Sequence, residues 1–298
     1  KSLISLLLVS LSFFNFIIHR IFNIKLFNFL FQKKESCNVI TTIKPKNKNK
    51  QTIIFCAHHD SGKITKLLNT ILGNYLLHMD IMLSLISYII FFVNIFINIS
   101  FLLIIPIIKI IISIYISFNM FEKQYSVGAN DNLSGVQVLL NIAKKAKTNN
   151  TEIKLISFGS EEIGCIGSKD YVKKHYKDIK DSLVINFESV GCGNYFTFMN
   201  NERYFINYDK NLKYEFLKIL KLNNNKISNN SLSKLGVSDA GPFAEKNISA
   251  ITIISIDKNG QIPNWHSHND IFKNVKEDNI NKLTKASLDF IKKIDNNL

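Results

Sequence analysis

Two adjacent carboxylates, Glu161 and Glu162, follow a run at residues 153–157 that is typical of a β-strand, and a helix-type run follows them at residues 169–176. A strand that ends in paired Glu residues places both carboxyl groups at the carboxyl edge of a sheet. Open α/β folds place their catalytic residues at this edge. A solvated acidic turn is the plainer interpretation of an isolated Glu-Glu pair, because carboxylates mostly lie at the surface. The other motifs of the chain favour the catalytic interpretation.

Four more stretches carry side chains of the types that bind metal ions, and each lies at or near the end of a predicted strand. A His beside a strand is more often packed or solvated than a ligand, so each motif alone is weak evidence. Together they supply imidazoles and carboxylates from separate parts of the chain. The motifs are His58-His59-Asp60, Gly128-Ala129-Asn130-Asp131-Asn132-Leu133-Ser134-Gly135, Asn186-Phe187-Glu188-Ser189-Val190-Gly191 and His266-Ser267-His268-Asn269-Asp270.

Strand-type and helix-type patterns alternate along the parts of the chain that carry these motifs. The strand patterns are short apolar runs, and the helix patterns repeat apolar residues every three or four positions. Alternation of this kind predicts an α/β fold with a mostly parallel sheet covered by helices on both faces. The predicted strands are residues 51–57, 153–158, 183–187, 195–199 and 250–256, and the predicted helices are residues 136–147, 169–176, 211–222 and 275–294.

Two apolar runs lie outside this pattern. Residues 3–18 are apolar apart from Ser and Asn and are followed by basic residues, which predicts a membrane helix with the following chain on the cytoplasmic side. Residues 81–118 contain Lys109 as their only charge. This run is long enough for about two bilayer crossings of roughly 20 residues each. A hydrophobic hairpin buried in the core of the domain is the alternative.

The motifs, read in order, resemble those of the M28 family of zinc exopeptidases, most of which are aminopeptidases. They read H-x-D-S, G-A-x-D-x-x-S-G, E-E-x-G-x-x-G-S, N-F-(D/E)-x-x-G and H-S-x-x-D, with Ser238-Asp239-Ala240-Gly241-Pro242-Phe243 before the last. The resemblance covers residues 51–60 and 128 to about 294. It implies a three-layer zinc-exopeptidase (phosphorylase/hydrolase-like) fold, with a mostly parallel mixed sheet flanked by helices, to which the apolar runs would add transmembrane helices.

The resemblance also implies a site with two zinc ions per chain. His58 and Glu188 would bind one zinc ion, Glu162 and His266 would bind the other, and Asp131 would bridge both. A carboxylate can bridge two zinc ions about 3.5 to 4 Å apart, and His nitrogen and carboxylate oxygen are ordinary zinc ligands.

The same resemblance assigns Glu161 as the general base, which would take the water proton and pass it to the leaving amine. Metal-bound imidazoles usually donate their other N–H to a carboxylate. Asp60 is therefore expected to orient His58, and Asp270 to steady His266.

Two features of the ligand motifs leave alternatives open. Many relatives have Asp at the position of Glu188, which makes this ligand the one that departs from the pattern. His59 and His268 lie beside the proposed ligands and could take their place. We prefer His58, which precedes a carboxylate by two positions, and His266, which precedes one by four.

The spacing between the first two motifs is the larger departure, since relatives place the second soon after the first. Here the longer apolar run separates Asp60 from Asp131. If His58 and Asp131 bind the same metal ion, the inserted segment must cross a membrane an even number of times. In the family, the peptide bond after the bridging Asp is typically cis, which here would join Asp131 and Asn132.

We therefore expect four segments in an integral membrane protein whose catalytic domain lies on the cytoplasmic side. Residues 1–20 would be an N-terminal membrane helix truncated at its start, and residues 21–75 the first part of the catalytic domain. Residues 76–120 would be an inserted transmembrane hairpin, and residues 121–298 the main part of the catalytic domain.

The predicted function is that of a membrane-anchored dinuclear zinc aminopeptidase, which would remove N-terminal residues from peptides by attack of a metal-bound hydroxide. Its partners would be peptide substrates and the lipid bilayer. Nucleic acid is not expected, because the formal charge of +14 comes largely from Lys scattered among Asn and Ile. The sequence makes no prediction of the oligomeric state.

Two other functions remain as alternatives. A non-catalytic M28-like scaffold or receptor would have lost metal ligands, and none of the implied ligands is missing here. A glutaminyl-cyclase-like acyltransferase typically works with a single zinc ion and does not use the first His, so His58 argues against it. Zinc stoichiometry separates the three functions.

Overall fold

The computed structural model describes residues 34–66, 71–96, 104–119, 121–202, 206–229 and 236–297. The chain divides into two compact units, and the larger one consists of Lys34–Gly62 and Ser126–Leu298. The other unit includes Lys63–Tyr125. The predicted N-terminal membrane helix at residues 1–20 lies outside the described residues.

A six-stranded mixed sheet forms the centre of the larger unit. Its strands are β1 (Val39–Ile43), β2 (Gln51–His58), β5 (Thr151–Phe158), β6 (Leu183–Glu188), β7 (Tyr195–Phe198) and β10 (Ser249–Ile256). They lie in the order β1-β5-β2-β6-β10-β7. The inner strands β5, β2, β6 and β10 run parallel to their inner neighbours, whereas β1 and β7 pair antiparallel at the two edges. This confirms the predicted α/β fold with a mostly parallel sheet.

The inner strands are near-continuous apolar runs because both faces of the sheet are covered by helices. In β2, every residue from Ile53 to Ala57 is fully buried. The helices are α3 (Ser134–Lys145), α4 (Ile166–Ile179), α5 (Lys210–Leu222), α6 (Gly241–Ala244) and α7 (Glu277–Asn296). Helices α3, α5 and α7 contribute side chains such as Val138, Phe216 and Phe290 to the core on one face. Helices α4 and α6 cover the other face. A small hairpin pairs β8 (Asn201–Glu202) with β9 (Ile206–Asn207).

The parallel arrangement brings the carboxyl ends of the inner strands to one edge of the sheet. Strand β2 ends at His58, β6 ends at Glu188, and the loop after β5 carries Glu161 and Glu162. A short π-helical turn at Ala129–Leu133 precedes α3, and its Asp131 has non-helical backbone angles.

The apolar run lies in the smaller unit, where it is divided between two helices. These are α1 (Ile71–Phe96) and α2 (Ile104–Asn119), and they pack against each other. Strands β3 (Lys63–Thr65) and β4 (Phe121–Tyr125) pair antiparallel in the same unit. Within the described ranges, no helix combines the length and the apolar character that a bilayer crossing requires.

The predictions of a transmembrane hairpin at residues 76–120 and of an integral membrane protein were therefore wrong. Helix α2 has 16 residues, contains Lys109 and spans about 24 Å at 1.5 Å per residue. A bilayer core is about 30 Å thick. In α1, Asp80 lies within the helix, and the apolar stretch that follows it at residues 81–96 is equally short. The Asp80 carboxylate accepts a hydrogen bond from Ser113 Oγ of α2.

Candidate metal centre

The loop that carries Glu161 and Glu162 is fixed by the carboxylate of Asp60. The Glu161 N–H donates to Asp60 Oδ1 at 3.0 Å, and the Glu162 N–H donates to Asp60 Oδ2 at 3.1 Å. Both oxygens of one side chain thus set the backbone of two adjacent Glu residues. This structural role differs from the predicted one, in which the Asp60 carboxylate orients His58.

The ring of His58 is instead oriented by the main chain of Asp60. His58 Nδ1 lies 2.9 Å from the Asp60 carbonyl oxygen, whereas the nearer carboxylate oxygen is 3.7 Å away. A carbonyl can only accept a hydrogen bond, so Nδ1 carries the proton. The other ring nitrogen, Nε2, points toward the neighbouring carboxylates.

The carboxylate of Asp270 holds the loop that presents Asp131. Its Oδ1 accepts from the Asn130 N–H, and its Oδ2 accepts from the Asp131 N–H at 3.2 Å. The sequence predicted that Asp270 would steady His266, whereas its hydrogen bonds go to this loop. The peptide bond between Asp131 and Asn132 is cis, as the family resemblance implied.

Three polar side chains tie the Asp131 loop to the end of β6, and the sequence motifs had indicated no role for them. They belong to Asn130, Asn132 and Ser134, all fully or almost fully buried. Their signal in the sequence was a polar run between two glycines, which does not reveal hydrogen-bond partners. The bonds are Asn132 Nδ2 to Phe187 O at 2.8 Å, Ser189 N to Asn132 Oδ1 at 3.1 Å, Val190 N to Ser134 Oγ at 3.1 Å and Gly191 N to Asn130 Oδ1 at 2.8 Å.

The five predicted metal ligands meet in one largely buried cluster with a two-part arrangement. Asp131 Oδ1 lies 3.3 Å from His58 Nε2, and Asp131 Oδ2 lies 3.3 Å from His266 Nε2. Glu188 Oε1 is 3.1 Å from His58 Nε2, and Glu162 Oε2 is 3.1 Å from His266 Nε2. Each half therefore contains one imidazole, one Glu and one oxygen of Asp131. Within each half, the potential ligand atoms lie within 4.8 Å of one another.

Glu161 lies beside the cluster with its two oxygens in different surroundings. Its Oε2 is 3.8 Å from His58 Nε2, and its Oε1 accepts a hydrogen bond from the thiol of Cys165 at 3.3 Å. Burial raises the pKa of the Glu161 carboxyl well above its ordinary value.

The electrostatics of the cluster fit a cation site. Burial raises the pKa of Glu188 to about 8, because a buried carboxylate loses its hydration. Burial alone would lower the pKa of His266, but hydrogen bonds to Asp131 and Glu162 raise it to about 10. The pKa of His58 is likewise raised, chiefly by Glu188 acting against burial. The crowded carboxylates thus stabilise positive charge at the two imidazoles, which is where metal ions would supply it.

The neighbouring histidines lie outside the groups of potential ligand atoms. His59 Nδ1 is 2.9 Å from Ser157 Oγ, and His268 is exposed. Among the described residues, the three-residue groups that could hold a metal ion contain His58 and His266 and neither of these neighbours. Asp239, from the motif before the last, is fully buried, and burial raises the pKa of its carboxyl to about 6.

Known proteins show similarity in both sequence and fold. The family model described as Peptidase family M28 matches residues 113–291. Aminopeptidase YwaD of Bacillus subtilis (strain 168) is 31% identical over 181 residues, which cover 58% of this chain and 37% of that protein.

Solved structures with the same fold include the LapA aminopeptidase of Legionella pneumophila, with a TM-score of 0.57 and 15% identity over 87% of this chain and 53% of that chain. BSAP, a zinc aminopeptidase from Bacillus subtilis, has a TM-score of 0.54 and 20% identity over 84% of this chain and 48% of that chain. The glutaminyl cyclase of Porphyromonas gingivalis has a TM-score of 0.58 and 16% identity over 86% of this chain and 77% of that chain.

The mixed sheet flanked by helices is the fold of these solved structures. This chain spans 37% of the length of YwaD and about half of the LapA and BSAP chains. The family model covers more than half of the chain and includes Asp131, Glu161, Glu162, Glu188 and His266. The predicted resemblance is confirmed, and the chain belongs to Peptidase family M28.

Proposed function

We propose that this chain carries the catalytic centre of a dinuclear zinc aminopeptidase, which hydrolyses N-terminal residues from peptides. One observation carries the proposal. The two oxygens of Asp131 face two different imidazoles at the same distance of 3.3 Å, and each imidazole has a Glu of its own. This arrangement is what a carboxylate that bridges two metal ions would have, with one imidazole and one Glu for each ion. The relatives named as aminopeptidases, one of them a zinc aminopeptidase, support the choice of metal and reaction.

In this proposal, His58 and Glu188 hold one zinc ion, Glu162 and His266 hold the other, and Asp131 binds both. Each set mixes imidazole nitrogen with carboxylate oxygen, which zinc accepts in catalytic sites while leaving a position open. When bound, the two zinc ions would polarise the scissile carbonyl and lower the pKa of the attacking water.

Glu161 is the proposed general base. It takes a proton from the attacking water and gives it to the amine that leaves when the peptide bond breaks. Its Oε2 lies 3.8 Å from His58 Nε2, which places the carboxylate beside the proposed zinc ligands. Asp60 positions Glu161 and Glu162 together through their N–H groups. This arrangement couples the base to a metal ligand.

Two alternatives make different use of the same cluster. A single-zinc glutaminyl-cyclase-like acyltransferase would need only Asp131, Glu162 and His266. The complete second group of His58, Asp131 and Glu188 favours two metal ions. A scaffold without metals would gain nothing from burying these carboxylates together, since buried charges without partners destabilise a fold.

Metal analysis combined with a panel of aminoacyl chromogenic substrates tests the proposal. We expect about two zinc ions per chain and release of the chromophore from at least one substrate. One zinc ion with cyclisation of N-terminal Gln would support the cyclase, and no bound metal would support the scaffold. Glu161→Gln should abolish hydrolysis while zinc stays near two per chain. Turnover at the wild-type rate in this variant would refute the assignment of the base.

A further inference from the structure

The thiol of Cys165 contacts one carboxylate oxygen of the proposed base, and the other oxygen faces His58. Cys165 Sγ donates a hydrogen bond to Glu161 Oε1 at 3.3 Å, and Cys165 is fully buried. The other oxygen, Oε2, lies 3.8 Å from His58 Nε2. The two oxygens of Glu161 therefore have separate environments, one against a thiol and one against the metal cluster.

The backbone around Cys165 is arranged to keep the thiol in this position. The N–H groups of Gly164 and Cys165 both donate to the Glu161 carbonyl oxygen at 2.7 Å, which closes a tight turn. Cys165 has φ 55°, a left-handed conformation that residues other than glycine rarely adopt. Ser168 Oγ donates to the Cys165 carbonyl oxygen at 3.2 Å and holds the start of α4 against this turn. Strained conformations of this kind persist where surrounding contacts enforce them.

The chemistry of the thiol restricts what it can do at this place. Burial, with the nearby charge of Glu161, raises the pKa of Cys165 well above its ordinary value. The thiol therefore keeps its proton and acts as a hydrogen-bond donor, since only a thiolate is a good nucleophile or metal ligand. Among the described residues, the groups of potential metal ligands do not include Cys165.

We infer that Cys165 is a positioning residue for Glu161, whose thiol holds Oε1 so that Oε2 is the oxygen that exchanges protons with the attacking water. This inference rests on the proposed function. A carboxylate without this donor can turn about its last side-chain bond, and both oxygens then share the position that faces the metal cluster. The loss should appear in kcat, because Glu161 acts on the water and not on substrate binding.

Two substitutions separate hydrogen bonding from packing. Cys165→Ala removes the donor, and we expect kcat to fall about tenfold, the size of one lost hydrogen bond to a charged group. KM should change less than about twofold and zinc content should not change. Cys165→Ser keeps a donor and should restore kcat to within about threefold of the wild type. Equal losses in both variants, or none in Cys165→Ala, would overturn the inference.

Cys192→Ala is the matched control. Cys192 is also a buried thiol, and it donates to the Asn274 carbonyl oxygen at 3.2 Å instead of to a carboxylate. This variant should keep the wild-type kcat. Thermal melting of each variant shows whether a lost thiol has also loosened the fold, and Cys165→Ser retains a readout if Cys165→Ala folds poorly.

The S–H stretching band in the infrared gives a readout that does not depend on activity. The difference between wild-type and Cys165→Ser spectra identifies the band of Cys165, and Glu161→Gln should shift it because an amide replaces the carboxyl group as the acceptor. If the wild-type protein hydrolyses no substrate, the proposed function fails, and this band alone decides the contact. A shift then supports the hydrogen bond between Cys165 and Glu161, and an unshifted band overturns it.

Discussion

Asp60→Asn should disturb the loop that carries Glu161 and Glu162 without changing the orientation of the His58 ring. The substituted side chain is nearly the same size and keeps one acceptor oxygen, but its NH₂ group would face one of the two N–H donors. The ring of His58 should stay in place, because its Nδ1 contacts the Asp60 carbonyl oxygen at 2.9 Å and not the carboxylate. The substitution therefore acts on Glu161, the proposed base, and on Glu162.

The expected loss of activity follows from the two hydrogen bonds, at 3.0 and 3.1 Å, that the Asp60 carboxylate accepts from the N–H groups of Glu161 and Glu162. Losing one bond to a charged acceptor costs about 1.5–3 kcal/mol, which corresponds to roughly ten- to hundredfold in rate. The Asp60 side chain is 28% exposed, so water can replace part of the lost acceptor. We therefore expect kcat/KM to fall by about ten- to thirtyfold, the lower part of that range.

Steady-state kinetics and zinc titration with a competing chelator measure the two effects. If the proposed dinuclear centre is correct, the zinc ion assigned to Glu162 and His266 should bind more weakly, and the one assigned to His58 and Glu188 should keep its affinity. Unchanged kinetics, or selective loss of zinc from the His58 side, would refute this account of Asp60.

Asp295→Asn is a control with matched chemistry away from the cluster. The two carboxylate oxygens of Asp295 also accept hydrogen bonds from consecutive main-chain N–H groups, those of Asn149 and Asn150, at 2.8 and 2.7 Å. This variant should lose stability and keep the wild-type kcat/KM. A comparable loss of activity in it would mean that the assay reports general loosening of the fold.

Two further substitutions test the packing of the site and the stability of the domain. An added Cβ at Gly62 would lie 2.5 Å from His266 Cε1 and 2.6 Å from Glu162 Oε2. Gly62→Ala should therefore displace these two proposed ligands and lower kcat by about a hundredfold, while the chelator-treated protein melts near the wild-type temperature. Asp209 caps α5 by accepting from the N–H groups of Asn211 and Leu212, and hydrogen bonds lower its pKa although burial opposes them. Because that folded pKa lies below the unfolded value, the cap is fully stabilising above about pH 4 and is lost as pH falls through the folded pKa. In urea unfolding with chelator present, we expect Asp209→Ala to be about 1 kcal/mol less stable than wild type at pH 7. This difference in the free energy of unfolding should disappear below about pH 4. A difference that persists at low pH would contradict the role of the charge.

The inner strands could be predicted from the sequence because burial on both faces leaves a plain signal. The apolar run at residues 51–57 predicted β2 to within one residue of its observed end at His58. Strand β1 was missed, since four of its five residues are exposed and its place is decided by pairing with β5. An edge strand of this kind depends on its neighbour more than on its own pattern.

The sequence motifs predicted which residues would lie at the candidate site, but they did not show which atoms contact each other. Asp60 lies two positions after His58, so both its carboxylate and its carbonyl were within reach of the ring. In the structure, the Asp60 carbonyl oxygen contacts His58 Nδ1, and the Asp60 carboxylate accepts hydrogen bonds from the loop that carries Glu161 and Glu162. The apolar run misled in a different way, because composition counts apolar residues and does not reveal where helices divide or where Asp80 lies within one.

The division of the chain between two units also explains how the cluster can form despite the long segment between His58 and Asp131. That segment leaves the larger unit after Gly62 and returns at Ser126. The Ser126 N–H donates to the Gly62 carbonyl oxygen at 2.9 Å, so the two ends meet beside the site. The cost of closing a loop grows only slowly with its length once its ends are held together. The geometry around Asp131 therefore depends on contacts within the larger unit, chiefly those of Asp270 and the end of β6, and the inserted length is compatible with the family's arrangement.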